Sequence, residues 1–335
     1  TAQSVTILKK VSYPPHLLKT TLAENILYVS GGIRKMGRVD HGDAFLDSHE
    51  LERSRGITIF SKQAEVLLKT EEKERKITLL DTPGHVDFSS EMERTLQVLD
   101  AAVLVISGTD GVQGHTETLW KLLESYQIPT FLFINKMDMP GVDEEKLMAE
   151  IREKLSGNCV HMAGVDAAEQ IALCGDDDTL NAFLETGEVA QADIGAFVSA
   201  RKLFPCYFGS ALRMQGIEAL LDGLNSIGPR PAYPDRFGAV VYKIGRDDKG
   251  NRLTYMKITG GEMPVRMSLT NKKEGMPTTG EIWEEKVSQI RFYSGLRFEQ
   301  RDTAYSGEIC AVTGLNYTKV GDGFGYEKKG TEPLL

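Results

Sequence analysis

The sequence predicts a doubly wound α/β domain with a mostly parallel sheet, followed by an all-β barrel domain. Short continuous apolar runs at 77–80, 102–106 and 130–134 alternate with helical patterns, as they do in parallel sheets that are buried on both faces. A proline-rich stretch near residue 230 then gives way to runs in which apolar and polar residues alternate, which is the pattern of antiparallel strands. The two patterns therefore predict two domains of different architecture.

The α/β domain is expected over residues 1–230. Its first helix begins at Lys19 in "KTTLAENILYVSGG", and the apolar spacing of 91–99 and 117–126 indicates two further helices. The range 145–204, which contains the acidic "GDDDTL", departs from this alternation and is interpreted as an insertion. Because ligands bind such sheets at the carboxyl ends of the strands, the functional motifs are expected there.

The β domain is expected over residues 236–330. Three prolines within "GPRPAYPDRFG" favour an extended connector in front of it. Alternating runs flank a polar turn at Asp247–Asn251 and recur at 287–292 and 308–312, which predicts a small antiparallel barrel.

Length and composition restrict the function classes. A chain of 335 residues exceeds the usual size of one domain, and no apolar run approaches the roughly 18 to 20 residues of a membrane-spanning helix. The first residues lack the features of a secretory signal, so a cytoplasmic protein without membrane association is expected. The four cysteines lack the density of a disulfide framework and the spacing of metal ligands, and are interpreted as free thiols. A net charge of −9 gives no general basic field for nucleic acid, but it is compatible with a local basic patch.

The motif "ITLLDTPGHVDF" at 77–88 ends an apolar strand at Asp81. A carboxylate at a strand end can hold Mg²⁺ through water, and Gly84 just beyond it lets a backbone N–H approach a terminal phosphate. The alternative is a strand that leaves through a Pro-Gly turn, with Asp81 as a turn former. The motif indicates a site for phosphate and magnesium.

The motif "FLFINKMD" at 131–138 brings Asn135, Lys136 and Asp138 to the same edge of the sheet. Guanine presents two adjacent donors, N1–H and the exocyclic amine, and the carboxylate of Asp138 can accept both as a bidentate pair. Asn135 can join neighbouring loops and reach the base, and the stem of Lys136 can lie across the ring. A helix cap that follows a strand is the alternative.

Two weaker motifs supply further groups. In "ERSRGITI" the hydroxyl of Thr58 can complete a magnesium shell when the terminal phosphate is present, although a β-branched residue at the start of a strand is the simpler interpretation of this motif alone. In "FGSAL" the residues Ser210, Ala211 and Leu212 follow a short strand and can offer backbone N–H groups to the guanine carbonyl. The order of the four motifs on successive strand ends makes coincidence a poor explanation of the set.

Taken together, the motifs resemble those of a translational GTPase, similar to elongation factor G and closer to the ribosomal protection proteins that confer tetracycline resistance. "DTPGHVDF", "INKMD" and "RGITI" are common to translation factors as a class. The stretches "GRVDHGDAFLDSHELERSRGITI", "VISGTDGVQGHTETLWKLLESYQIPTFLFINKMD" and "AYSGEICAV" resemble the protection proteins more. The resemblance covers nearly the whole chain from Lys19, and it implies a P-loop NTPase-type GTPase domain followed by domain 2 of a translation factor.

The resemblance also implies the chemistry and the partners. It implies GTP and GDP as ligands, Mg²⁺ as cofactor, and a monomer that acts on the RNA and proteins of the ribosome, with His85 orienting the attacking water. It assigns nucleotide contacts to Lys19, Thr20, Thr21, Asp81, Gly84, Asn135, Lys136, Asp138, Ser210, Ala211 and Leu212, and metal contacts to Thr20, Thr58 and Asp81. Because this family continues through further domains, the chain is expected to be an amino-terminal half that cannot protect ribosomes alone.

The stretch before Lys19 departs from the phosphate-binding loop of this family. A Gly-x-x-x-x-Gly-Lys-Thr loop expects glycine where the chain has Tyr13 and Leu18, and Pro14 and Pro15 have no amide to donate to phosphate. Two lysines just upstream stand where a buried first strand should be apolar. Three explanations stay open, namely true divergence that weakens nucleotide binding, an altered reading frame or chain end, and an error in this segment of the sequence.

Two alternatives to a ribosomal protection GTPase stay open. One is a non-hydrolysing ribosome-binding module, in which the altered loop leaves only a scaffold. The other is an elongation factor G or a release-factor-like GTPase, which uses the same chemistry in a different step of translation.

Overall fold

An α/β domain precedes an all-β domain in the part of the chain that the structure describes. The structure is a computed structural model that describes residues 3–9, 19–35, 37, 62–69, 74–81, 89–272 and 282–327. The predicted combination of a doubly wound domain with an antiparallel β domain is confirmed.

The α/β domain is built on one seven-stranded sheet. Its strands are β1 (Gln3–Lys9), β2 (Lys62–Lys69), β3 (Glu74–Asp81), β4 (Ala101–Ser107), β5 (Thr130–Asn135), β6 (Cys159–His161) and β7 (Phe204–Phe208). The strand order is β2-β3-β1-β4-β5-β7-β6, and every neighbouring pair is parallel except β2 with β3. All residues of β4 and β5 are buried, because helices cover both faces of the sheet.

Helices form two layers around this sheet. They are α1 (Lys19–Val29), α2 (Ser89–Leu96), α3 (Gly114–Ser125), α4 (Glu144–Lys154), α5 (Ala167–Leu173), α6 (Asp177–Thr186), α7 (Gln191–Ser199) and α8 (Ile217–Ser226). One apolar core packs α1 and α8 against one face, and a second packs α2, α3 and α4 against the other. Successive residues of β4 enter the two cores alternately, as the period of a strand requires.

The range 145–204 is partly built into the main sheet. Helix α4 contributes Leu147, Met148 and Ile151 to the core it shares with α3, and β6 pairs in parallel with β7. The part of the range that departs from strand–helix alternation is therefore α5 to α7. Its acidic stretch has a local structural role, because the carboxylate of Asp176 accepts a hydrogen bond from Thr179 N at 3.0 Å and caps α6.

The β domain consists of short antiparallel strands around one core. They are β8 (Gly238–Arg246), β9 (Arg252–Gly260), β10 (Glu262–Pro264), β11 (Ser268–Thr270), β12 (Glu284–Lys286), β13 (Gln289–Ser294), β14 (Arg297–Arg301), β15 (Thr303–Tyr305), β16 (Ile309–Thr313) and β17 (Gly323–Gly325). A six-stranded sheet has the order β14-β13-β16-β9-β8-β17, and β10-β15 and β11-β12 form two ribbons. The sheet and ribbons share one apolar core. The predicted polar turn joins β8 to β9, where Asp247 Oδ1 accepts from Asn251 N at 2.8 Å.

The two domains meet at a contact that we call the junction, formed by Asp100, Lys257 and Tyr233 with the apolar residues around them. Lys257 Nζ lies 2.5 Å from Asp100 Oδ1 and 3.0 Å from Val98 O, and Tyr233 OH donates to Asp100 Oδ1 at 3.0 Å. The side chains of Lys257 and Asp100 are only 5% and 7% exposed. The apolar members from both domains are Leu80, Val98, Val240, Tyr242 and Ile309.

Two further findings concern the environment of the chain. Within the described ranges, no helix combines the length and the apolar character that crossing a membrane requires. The four cysteines all lie within those ranges as free thiols, which confirms that prediction.

Candidate functional site

The carboxyl ends of the parallel strands bring the sequence motifs to one edge of the sheet. The strand register pairs Ile7 with Asp81, Ser107 with Asn135, and Ile134 with Phe208. The ends of β1, β3, β4, β5 and β7 are therefore neighbours in space, although the motifs that follow them are far apart in the chain.

At one end of this edge, which we call the phosphate end, β1 and α1 flank the segment where a phosphate-binding loop is expected. β1 lies between β3 and β4 at the centre of the sheet, and α1 begins with Lys19 and Thr20. The sequence places two lysines where a buried first strand should be apolar. Lys9 is the last residue of β1, so it lies at the edge of the sheet where the carboxyl ends of the strands meet. Tyr13 and Leu18 of the connecting segment lie outside the described residues, as do the predicted site residues Thr58, Gly84 and His85.

Asp81 is the buried acid of this end. It is the last residue of β3, and its side chain is 0% exposed. The described residues contain no cluster of three or more His, Cys, Asp and Glu side chains that could hold a metal. Mg²⁺ prefers oxygen ligands and needs only one or two from the protein when phosphates supply others. A buried carboxylate at a strand end is a donor of this type, so Asp81 fits Mg²⁺ held together with a phosphate ligand.

At the other end, residues 135–138 and 209–216 form what we call the base corner. Asn135 is 1% exposed, and its Oδ1 accepts hydrogen bonds from Lys136 N and Ala211 N, both at 2.8 Å. Met137 N donates to Gly209 O at 3.1 Å, so the two loops are bonded to each other. Lys136 has φ 68°, a left-handed conformation that directs the chain away from β5.

Most amide groups of the loop after β7 already have acceptors within the protein. Ser210 N donates to Gln215 O at 3.1 Å, and Ala211 N donates to Asn135 Oδ1 at 2.8 Å. Of the predicted ligand residues Ser210, Ala211 and Leu212, the first two therefore already use their amides within the protein. Arg213 N and Met214 N also have acceptors inside the loop.

Two donors of the base corner are left open. Among the hydrogen bonds of the described residues, none uses the N–H of Leu212, and the buried Nδ2 of Asn135 has no acceptor. A buried polar group without a partner, such as Asn135 Nδ2, is uncommon in folded proteins and calls for an explanation, whereas Leu212 lies in an exposed part of the loop. A ligand with two acceptors on one edge would satisfy both donors.

The acid of the base corner is Asp138. Its carboxylate lies 3.2 Å from Arg213 Nε, and its side chain is 9% exposed. A hydrogen bond from the Ser210 hydroxyl is the main cause that lowers the pKa of Asp138 below its usual range, and Arg213 adds to the effect. The carboxylate is therefore ionised at neutral pH and can accept hydrogen bonds from two adjacent donors.

Sequence reasoning missed three residues that shape this corner. Arg213 pairs with Asp138, as described above. A Cβ at Gly209 would lie 2.2 Å from Gln215 O, so the loop closes only around a glycine. Asn25 on α1 is 0% exposed and donates through Nδ2 to Ala211 O. The only sequence signal for Asn25 is a polar residue in a helix segment, 22–27, whose residues are all buried.

Comparison with known proteins gives family matches to both domains. The family model "Elongation factor Tu GTP binding domain" matches residues 18–230, and "Elongation factor G domain 2" matches residues 236–326. These two matches together cover most of the chain.

Relatives of this chain include proteins that are named for resistance to tetracycline or oxytetracycline. The chain is 35% identical to tetracycline resistance protein TetP of Clostridium perfringens, an alignment that covers 92% of this chain and 49% of the relative. It is 33% identical to the oxytetracycline resistance protein of Streptomyces rimosus, over 92% of this chain and 50% of the relative. It is 34% identical to TetM from transposon Tn916 of Enterococcus faecalis, over 88% and 47%. The chain thus spans about half the length of these relatives.

A solved structure from Thermus thermophilus has the same fold. It superposes with a TM-score of 0.82 and 20% sequence identity, and the match covers 99% of this chain and 56% of that one. The likeness extends through both domains.

Proposed function

The chain belongs to the family of the elongation factor Tu GTP-binding domain, and on this premise we propose that it binds guanine nucleotides and hydrolyses GTP as a translation factor of the tetracycline-resistance, ribosomal protection type. The observation that carries the proposal is the base corner. Its two open donors, Asn135 Nδ2 and Leu212 N–H, complement the N7 and O6 acceptors of guanine. Asp138 complements the N1–H and amine donors of the same base.

The same groups favour guanine over adenine. Adenine carries an amino group at the position of the guanine 6-oxo group, so it would set a donor against Leu212 N–H. Adenine also lacks the N1–H that the carboxylate of Asp138 accepts. Each mismatch leaves a polar group without a partner, which costs more than a hydrogen bond contributes.

The phosphate end has the residue types that hydrolysis needs. Lys19 and Thr20 at the start of α1 would contact the phosphates, with Thr21 beside them, and the amide of Gly84 would approach the terminal phosphate. Asp81, Thr20 and Thr58 would hold Mg²⁺, which when bound neutralises charge on the phosphates. His85 would orient the attacking water, and the loop with Thr58 would be released once the terminal phosphate is gone.

The finer assignments rest on the relatives. Two of them are named as tetracycline resistance proteins and one as an oxytetracycline resistance protein. We infer that the chain acts on the ribosome, through ribosomal RNA and proteins, as a cytoplasmic monomer that is not bound to membranes. We also divide it into a nucleotide-binding domain over 1–230, with the insertion at 145–204, and a β domain over 236–330.

Two other functions have specific support. Tyr13 and Leu18 stand at glycine positions of the phosphate loop, which favours a ribosome-binding module that does not hydrolyse GTP. The match of residues 236–326 to domain 2 of elongation factor G favours an elongation or release factor.

The first test is nucleotide binding by the purified chain. Fluorescent GDP and GTP are titrated with and without Mg²⁺, and guanine binding at micromolar or tighter affinity is expected. In Asp138→Asn the affinity for GDP should fall roughly 10- to 100-fold while xanthosine diphosphate binds better, because the amide can donate to a 2-oxo group but cannot accept two donors.

The matched control is Asp143→Asn, five residues further along. Asp143 caps α4 by accepting from Glu145 N and Lys146 N, and asparagine also caps helices well, so base preference should not change. Absence of guanine nucleotide binding in the unaltered chain would contradict the proposal and leave the binding module as the better interpretation.

Activity on the ribosome separates the remaining possibilities. GTP hydrolysis is measured in single turnover with and without ribosomes, and stimulation by ribosomes is expected. Binding without stimulated hydrolysis would favour the module. Release of bound tetracycline from ribosomes, compared with translocation and peptide release, distinguishes a protection protein from an elongation or release factor.

A further inference from the structure

Asn25 joins the helix of the phosphate end to the loop of the base corner. It lies in α1 with a fully buried side chain, and its Nδ2 donates to Ala211 O across 186 residues of sequence. Ala211 is the residue whose N–H is held by Asn135 Oδ1 at 2.8 Å. Two asparagines from different elements therefore hold the two polar backbone groups of one residue.

The carbonyl that Asn25 holds belongs to the same peptide unit as the open N–H of Leu212. A peptide unit is planar and almost always trans, so its C=O and N–H point in opposite directions. A bond that fixes Ala211 O against α1 therefore directs Leu212 N–H away from α1. The hydrogen bond from Asn25 to Ala211 O therefore sets the direction of Leu212 N–H, which is at the opposite side of the same peptide unit.

The orientation of the Asn25 amide follows from its surroundings. Ala211 O is an acceptor, so the nitrogen of the Asn25 side chain has to face it, since Oδ1 in that place would oppose another oxygen. Among the described residues the carbonyl has one other donor, Met214 N at 3.3 Å, which is a long bond within the turn. Without Asn25 only this longer bond would hold the peptide plane.

We propose that Asn25 is a positioning residue for recognition of the guanine 6-oxo group, which it serves by fixing the Ala211–Leu212 peptide plane so that Leu212 N–H meets that oxygen. This inference rests on the proposed binding of guanine nucleotides. It adds a residue that makes no contact with the ligand and lies outside the four sequence motifs.

The test is base discrimination by Asn25→Leu, which keeps the approximate size of the side chain and removes its donor. Three probes are titrated, namely GDP, 6-thioguanosine diphosphate, which has a weaker acceptor at position 6, and inosine diphosphate, which lacks the 2-amino group. GDP affinity should fall about threefold to tenfold, the worth of one hydrogen bond. The preference for GDP over the 6-thio analogue should shrink by the same factor, while the preference over inosine diphosphate should hold, because that one depends on Asp138.

The matched control is Ile26→Ala on the same helix. Ile26 is 3% exposed and packs in the apolar core that also includes Ala211, so its truncation opens a cavity and destabilises α1 while it leaves the hydrogen bond from Asn25 to Ala211 O in place. Both base preferences should stay unchanged in this variant. If Asn25→Leu and Ile26→Ala lower GDP affinity equally and leave both preferences intact, Asn25 only stabilises the fold and the inference is wrong.

A second measurement needs no nucleotide. Amide hydrogen exchange in the free protein should be faster over residues 209–216 in Asn25→Leu than in Ile26→Ala, because only the first variant releases the loop. Equal exchange in the two variants would overturn the inference even where nucleotide binds normally. A chain that binds no guanine nucleotide but shows the faster exchange would instead place the failure in the proposed function.

Discussion

The base corner and the junction both bury polar groups, but they use them differently. At the junction, the ammonium of Lys257 bonds with Asp100 and Val98 O, and Asp100 also accepts from Tyr233. At the base corner, neutral asparagine side chains hold backbone groups, and the donors Asn135 Nδ2 and Leu212 N–H are left open. The comparison teaches that the polar groups of a structural contact bond with each other, whereas a binding site leaves some donors available for a ligand.

The charges of the two regions differ for a related reason. A buried ion pair is costly to break because each partner left alone is a charge out of water. Such a pair can therefore keep two domains in one orientation. At the base corner the ion pair of Asp138 with Arg213 leaves the arginine side chain 63% exposed, and the loop backbone is held by neutral amides, whose bonds are worth about 0.5–1.5 kcal/mol each.

The largest expected effect is at the junction. Lys257→Met should lower the free energy of unfolding by about 3–5 kcal/mol, because it leaves the carboxylate of Asp100 buried without its cation. Denaturant titration followed by tryptophan fluorescence measures the change. The control Lys146→Met removes a pair that is 85% and 43% exposed and should be close to neutral. The double variant Lys257→Met, Asp100→Leu should recover much of the loss, and equal losses in the single and double variants would contradict this explanation.

The next effect is at the base corner. In Gly209→Ala the new Cβ would meet Gln215 O at 2.2 Å and Phe133 Cζ at 2.9 Å, so the loop has to shift, at a cost of about 1–3 kcal/mol. GDP affinity should fall with stability, because the loop carries the open amide. Gly157→Ala is the control, since its Cβ meets nothing within 4 Å. A Gly209→Ala variant with unchanged GDP affinity would show that the loop is less closely fitted than its contacts indicate.

A smaller effect is expected at a second contact between the domains, the pairing of Arg301 in β14 with Glu65 in β2. Arg301 is 27% exposed, lies 3.3 Å from both Glu65 and Glu308, and stacks 4.2 Å above the ring of Phe292. Arg301→Ala should cost about 1 kcal/mol, because solvent screens exposed pairs. High salt should reduce this cost and leave the effect of Lys257→Met nearly unchanged. Denaturant titrations of both variants in low and in high salt test whether the ion pairs of Arg301 are more sensitive to salt than the pair of Lys257 with Asp100.

The smallest effect concerns pH. The Ser210 hydroxyl is the main cause that lowers the pKa of Asp138, and only the ionised carboxylate can accept both guanine donors. Affinity for GDP should therefore be flat from neutral pH downward and fall only as the pH passes through this lowered pKa. In Ser210→Ala the pKa rises, so the fall should begin at higher pH. GDP affinity is measured by titration at a series of pH values below neutrality. If the affinity of the two proteins falls at the same pH, Ser210 does not have this role.

Much of the fold could be predicted because its signals are local. Strands β3, β4 and β5 appear as continuous apolar runs, since both faces of the sheet are covered, and the polar turn after β8 contains its own hydrogen-bonding residues. The α4–β6 unit was harder to recognise. Its strand is only Cys159–His161, too short for a periodic pattern, and it joins the sheet through β7, more than 40 residues later in the chain.

The candidate site shows the same division. The sequence was enough to select Asn135, Asp138 and Asp81 as site residues, because the type of each side chain and its position at the end of a strand indicate what it can bind. The role of Asn25 could not, because its partner lies 186 residues away, and the pairing of Lys257 with Asp100 spans 157.

By itself the sequence determined the alternation of buried strands and helices around β3, β4 and β5, the change to antiparallel strands after residue 236, and the residue types at the carboxyl ends of the strands, since these follow from local periodicity and side-chain chemistry. Only the tertiary structure decided which amides are used within the protein and which are left for a ligand, and which buried charges hold the domains together. The physical reason is that a hydrogen bond or an ion pair depends on the neighbours a group has in space, and here those neighbours come from distant parts of the chain.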